Sequence, residues 1–153
     1  MATLAVDIVR ILQDTALARD KLIPMKLGYT IIYVADVVAT VTFYEKAFGL
    51  ARRFVHESNL YAEMETGSTA LAFAGEAMAE LNGVAIRPNR MDEVAAGVEI
   101  ALVTDNPAAA YERAVAAGAI AVKPPELKPW GQTVGYVRDL NGCLVEICSP
   151  VAS

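Results

Sequence analysis

The feature that most constrains this chain is a repeat. Val34-x-Asp36 and Gly49 recur 69 positions later as Val103-x-Asp105 and Gly118, and Ala70-Leu-Ala-Phe-Ala74 lies 73 positions before Cys143-Leu-Val-Glu-Ile147. Near-constant offsets of this kind mark a duplicated structural unit. Each copy reads as a β-prone run, an Asp able to cap a helix, a helix ended by Gly, and three further strands. In the first copy the helix carries Val37, Val41, Tyr44 and Ala47 along one face. The predicted strands cover 26–34, 51–57, 60–65 and 69–75 in the first copy, and 98–103, 119–122, 132–138 and 143–148 in the second. The four-residue difference between the offsets belongs to a stiff loop, Pro124 to Trp130. The chain is therefore α+β, two βαβββ modules spanning about 25–75 and 96–150.

Outside the modules, Leu4, Ile8, Ile11 or Leu12, and Leu17 stand near helical spacing, with Asp7, Arg10, Gln13 and Asp14 on the other side. Residues 1–24 are expected to hold an amphipathic helix ended before Pro24, which either packs on the domain surface or contacts a second copy. Residues 76–95, with Asn82-Gly83 and Pro88-Asn89, read as a connector containing a short helix at most.

Composition narrows the function by exclusion. A chain of 153 residues with 55 % hydrophobic and 20 % charged residues is one globular domain with an adequate core. A net charge of −5, with Lys and Arg dispersed, is no nucleic-acid footprint and favours a neutral or cationic partner. The single histidine, His56, excludes His-rich metal sites and reads as a polar strand residue. Cys143 and Cys148, five apart on one predicted strand, point to opposite faces and form no disulfide, which fits a reducing, cytoplasmic setting. No stretch reaches transmembrane length, and the charges of Asp7, Arg10 and Asp14 do not suit a secretory signal.

Glu146 is the odd residue. Its strand is otherwise Cys, Leu, Val and Ile, where a buried, unpaired carboxylate is costly. Either it faces a cavity or ligand, or it leans into solvent at a sheet edge.

The paired modules, the Val-x-Asp pattern before a helix ending in Tyr44-Glu-Lys-Ala-Phe-Gly-Leu50, and the closing Arg138-Asp-Leu-Asn-Gly-Cys-Leu-Val-Glu146 together resemble the vicinal oxygen chelate superfamily. That group includes the glyoxalase, bleomycin-resistance and extradiol-dioxygenase families, and the resemblance covers roughly residues 25–150. It implies an eight-stranded sheet in two halves, curled around a cleft with helices outside, and a homodimer. In metal-dependent members the ligands lie on the first and last strand of each module. Transferred here, those positions are Tyr29, Phe73, Val98 and Glu146. Only Glu146 could bind a metal strongly, so neither a metal nor another cofactor is expected.

Strand alternation then assigns the cleft. With even-membered turns, residue numbers summing to 135 pair across the first module's last hairpin, and those summing to 281 across the second's. Phe73 then faces Ala62, and Glu146 faces Gly135, with free volume beside both. The expected inner face carries Tyr29, Ile31, Tyr33, Met64, Phe73, Val98, Ile100, Leu102 and Leu144, while Glu63, Glu65 and Glu99 point away. Trp130 either covers the mouth or anchors its own loop. Aromatic faces beside one acid suit a cationic or planar ligand.

The expectation is a metal-independent small-molecule binding protein resembling bleomycin-resistance proteins, with Tyr29, Tyr33, Phe73, Trp130 and Glu146 on the ligand and no catalytic residue assigned. Its alternatives are a metal-dependent lyase, isomerase or dioxygenase of the same superfamily, and a scaffold whose cleft is filled by its own side chains.

Overall fold

The computed structural model describes residues 23–151 and, ahead of them, Asp7; the expected amino-terminal helix lies otherwise outside the described residues. The elements in order are β1 (Tyr29–Val34), α1 (Val37–Phe48), β2 (Arg52–Val55), β3 (Tyr61–Met64), β4 (Ala70–Gly75), α2 (Ala77–Leu81), β5 (Glu99–Val103), α3 (Pro107–Ala116), β6 (Ile120–Leu127), β7 (Thr133–Arg138) and β8 (Leu144–Cys148). The connector holds one short helix, α2. Both modules follow βαβββ order, as the repeat predicts.

Local chemistry sets the ends of α1. The Asp36 side chain accepts a hydrogen bond from the Ala39 amide at 2.9 Å, satisfying one of the helix's orphan donors. At the other end Gly49 turns left-handed, with φ 69°, and its N–H donates to the Glu45 carbonyl.

The strands form two four-stranded sheets, ordered β1-β4-β3-β2 and β5-β8-β7-β6, with the first pair of each parallel and the rest antiparallel. Each sheet has a helix face and an open face. On the helix faces, Ile32, Val34, Ala62, Met64, Leu71 and Phe73 of the first sheet share one core cluster with Val137, Val145 and Ile147 of the second. Tyr44, from α1, is fully buried in it. Its ring lies 4.7 Å from that of Phe73 and edge-on to Phe48 at 5.0 Å.

The modules are also joined by polar contacts. The Tyr44 hydroxyl donates to Asp139 at 2.9 Å, and the Asn141 amide donates to the Thr40 hydroxyl at 3.0 Å, so α1 is locked to the β7–β8 turn. Arg138 donates to the Gly142, Arg90 and Met91 carbonyls, tying the connector to that same turn. Burial raises the pKa of Asp139, against the pull of bonds from Cys143, Tyr44 and Asn141.

Three expectations need correction. The helix α3 is capped by Asn106, whose side chain accepts from the Ala109 amide at 3.1 Å, and not by Asp105. Pro107 at the first helical position explains the choice. The repeat is therefore displaced by one residue at β5, which exchanges the two faces of that strand. Secondly, Arg138 pairs with Leu144, leaving a five-residue loop, so Glu146 stands opposite Tyr136 while Gly135 stands opposite Ile147. Thirdly, Pro124 and Pro125 do not form a loop. They lie within β6, an edge strand with register shifts, where missing amide donors are tolerated.

Candidate functional site on the open sheet faces

The site follows from which residues the strands turn away from the helices. On β1 those are Tyr29, Ile31 and Tyr33; Tyr29 is 56 % exposed, whereas Val34, on the other face, is fully buried. On β5 and β8 they are Glu99, Ala101, Val103, Leu144, Glu146 and Cys148, since Ile100 and Leu102 stand beside the buried Val145 and Ile147. The edge strands β1 and β5 line one cavity of about 250 Å³, with Ile31 and Tyr33 on one side and Val98 and Ile100 on the other. Edges β1 and β5 are thus neighbours, with open-face residues of β1 meeting Ile100 from the helix face of β5.

Glu146 lies within the open face of the second sheet. Its carboxylate accepts a hydrogen bond from the Tyr136 hydroxyl at 3.0 Å. Glu99 is beside it on β5. Burial, then hydrogen bonding and repulsion from Glu146, raise the pKa of Glu99. The same acid leaves its mark on its neighbours. Tyr136 is pushed up to about 12 by burial and its bond to Glu146. Cys148 is pushed up to about 11, by burial first and then by Glu146.

The first sheet holds a counterpart with a different charge balance. On its open face the Tyr61 hydroxyl donates to Glu63 at 3.0 Å, as Tyr136 does to Glu146. Here, however, Arg53 donates to Glu63 at 3.0 Å and to both oxygens of Glu65. The bulge between Arg52 and Phe54 gives Arg53 this reach, because two residues of β2 there oppose one of β3. The bond from Arg53 holds Glu65 below its usual carboxylate pKa. Among the described residues, neither Glu99 nor Glu146 has an ion-pair partner. Lys123 stands opposite Tyr136 on β6 but makes no such pair.

The residues expected to line the cleft divide accordingly. Tyr29, Tyr33, Leu144 and Glu146 are on open faces. Phe73 is not: it pairs with Ala62, as the hairpin arithmetic has it, but both point into the helix-side core, where Phe73 is 0 % exposed. Met64, Ile100 and Leu102 are on the helix faces as well. Conversely, Glu63 and Glu99, expected to point away, occupy the open faces. Trp130 is 60 % exposed at the β6–β7 turn, and its indole N–H donates to the Gln132 side-chain oxygen at 3.0 Å. Gln132 in turn donates to the Ser149 carbonyl and stands beside Cys148, placing Trp130 at the rim of the second open face. His56 sits in the turn after β2, bonded to Ser58. Tyr136 and Gln132 were missed; the signal available was the alternation of Gln132, Val134 and Tyr136 along a strand next to Glu146.

A resident divalent ion does not fit these donors. Once the one-residue displacement is included, the first-module positions equivalent to Glu99 and Glu146 are Tyr29 and Ala72, a phenol and a methyl group. Among the described residues, no three His, Cys, Asp or Glu side chains are placed so that they could hold one metal ion.

The sequence profile of the Glyoxalase/Bleomycin resistance protein/Dioxygenase superfamily matches residues 26–147. No curated protein matches the sequence. Among solved structures, a glyoxalase-related enzyme from Fulvimarina pelagi is similar with a TM-score of 0.70 at 24 % identity, over 83 % of this chain and 89 % of that one. A glyoxalase/bleomycin resistance protein/dioxygenase from Nocardioides gives a TM-score of 0.70 at 20 % identity, over 93 % and 95 %. TioX from Micromonospora sp. ML1 gives 0.61 at 20 % identity, over 82 % and 98 %. At these identities the likeness is one of fold.

Proposed function

The chain belongs to the glyoxalase/bleomycin resistance protein/dioxygenase superfamily, and from that premise we propose that it is a metal-independent binding protein for a planar organic cation. The reading includes a homodimer that sequesters its ligand, as an antibiotic-resistance protein of this group would. The observation that carries it is the contrast between two Tyr–Glu pairs, one on the open face of each sheet. Tyr61 and Glu63 have Arg53 as their cation, whereas Tyr136 and Glu146 have a second acid, Glu99.

Two carboxylates held side by side repel one another, and a bound positive charge reverses that repulsion into attraction. An ammonium or amidinium group on Glu99 and Glu146 does this, while its aromatic body extends toward Tyr29 and Tyr33 on the open face of the first sheet. Trp130 covers the rim. The role of each residue is recognition: the acids hold charge, Tyr136 orients Glu146, and the aromatic rings hold the planar body. No bond is made or broken in this account.

Metal analysis tests it. Protein purified without chelators, then incubated with manganese, nickel, zinc or ferrous iron, is expected to hold no stoichiometric ion. One tightly bound ion per chain, lost in Glu146→Gln, would overturn the proposal in favour of a metal-dependent lyase, isomerase or dioxygenase.

A further inference from the structure

A second cavity, of about 550 Å³, lies where the carboxy-terminal end of α1, the β3–β4 turn, the last residues of β5 and the first turns of α3 meet. That volume is in the range of small-molecule sites. Its apolar wall is formed by Phe48, Leu50, Leu102 and Ile147, and the small side chains of Ala109 and Ala110 leave the space open. It is lined from both modules, so it exists only because they dock as they do.

One cation borders this cavity. The Arg113 Nε donates to the Lys46 carbonyl at 2.8 Å and its Nη2 to the Glu45 carbonyl at 3.2 Å. These two bonds fix the plane of the guanidinium. Its Nη1 has no hydrogen-bond partner among the described residues, and no carboxylate there pairs with Arg113. The other charged lining residue, Glu65, is already held at both oxygens by Arg53. An oriented, always-charged fork with an unused end beside an apolar wall is suited to a carboxylate with a hydrocarbon body.

We propose that the cavity between the modules binds a small amphipathic carboxylate, with its anionic head on Arg113 and its body against Phe48, Leu50, Leu102 and Ile147. The site is independent of the paired acids and takes the opposite charge.

Calorimetric titration of the full chain with octanoate, and with uncharged octanamide, tests it. Octanoate is expected to bind one per chain, about tenfold or more tighter than octanamide, since the difference is a charge-assisted hydrogen-bond pair. Arg113→Gln removes that preference. Because Arg113 also closes the last turn of α1, a second variant is needed: Ala110→Phe fills the cavity, leaves the guanidinium in place, and is expected to abolish binding of both probes. The Glu99→Gln/Glu146→Gln double variant is expected to bind octanoate as the unaltered chain does. Failure of octanoate to bind, undiminished binding in Ala110→Phe, or loss of octanoate binding in the double variant would each overturn the proposal.

Discussion

The Tyr136 hydroxyl donates to the Glu146 carboxylate at 3.0 Å across β7 and β8, while in the other module Tyr61 donates over the same distance to Glu63, two residues along β3. What differs is the third member, Arg53 in one and Glu99 in the other.

The pair of acids has a pH signature. The pKa of Glu99 is higher folded than unfolded, so between those two values the native state holds more protons and stability falls as pH rises. The penalty is absent below the ordinary carboxylate value and fully present above the raised one. Glu99→Gln is therefore expected to raise the melting temperature at pH 8 by about 1–2 °C, in keeping with a partly exposed site, and to leave it unchanged at pH 4. Thermal unfolding at the two pH values checks this.

Phe73 and Tyr29 test which face is which. Phe73→Ala removes a ring packed against Tyr44 in the core and is expected to cost about 3–5 kcal/mol in urea unfolding. Tyr29→Ala, on the open face, is expected to cost under about 1 kcal/mol and to weaken ligand binding instead.

The bond between α1 and the β7–β8 turn is buried, so its loss is expensive. Tyr44→Phe leaves Asp139 without its hydroxyl donor, at an expected cost of about 1–3 kcal/mol measured by denaturant midpoint.

Gly142 has φ 89°, and a Cβ there would come within 2.5 Å of the Arg90 carbonyl oxygen. Gly142→Ala combines backbone strain with a clash against the connector, and is expected to cost more than about 2 kcal/mol. Limited proteolysis should then cut the connector faster.

The fold was readable because duplication, capping and glycine stops are local signals: Asp36 and Gly49 bound α1 as expected. The site was half readable, because its assignment depended on strand parity, and parity is lost by a single residue. The first module's hairpin kept the expected pairing of Ala62 with Phe73, yet nothing in that arithmetic says which face meets the helices. In the second module the five-residue loop moved Glu146 from Gly135 to Tyr136. The cap at Asn106 turned Glu99 from the helix face to the open one. Both shifts came from turn and cap geometry, where Pro107 and the Asp139 loop compete with simpler readings. Arg53 reached Glu63 and Glu65 through a bulge, which alternation does not reveal.

The central claim is that Glu99 and Glu146 recognise an organic cation without a metal. Its most direct test is calorimetric titration of chelator-treated protein with a planar aromatic ammonium compound and with its uncharged isostere. The account predicts that the cation binds at least about tenfold more tightly, and that the preference disappears in Glu99→Gln/Glu146→Gln. Equal affinity for the two compounds, or binding that appears only after manganese, nickel, zinc or iron is restored, would contradict it.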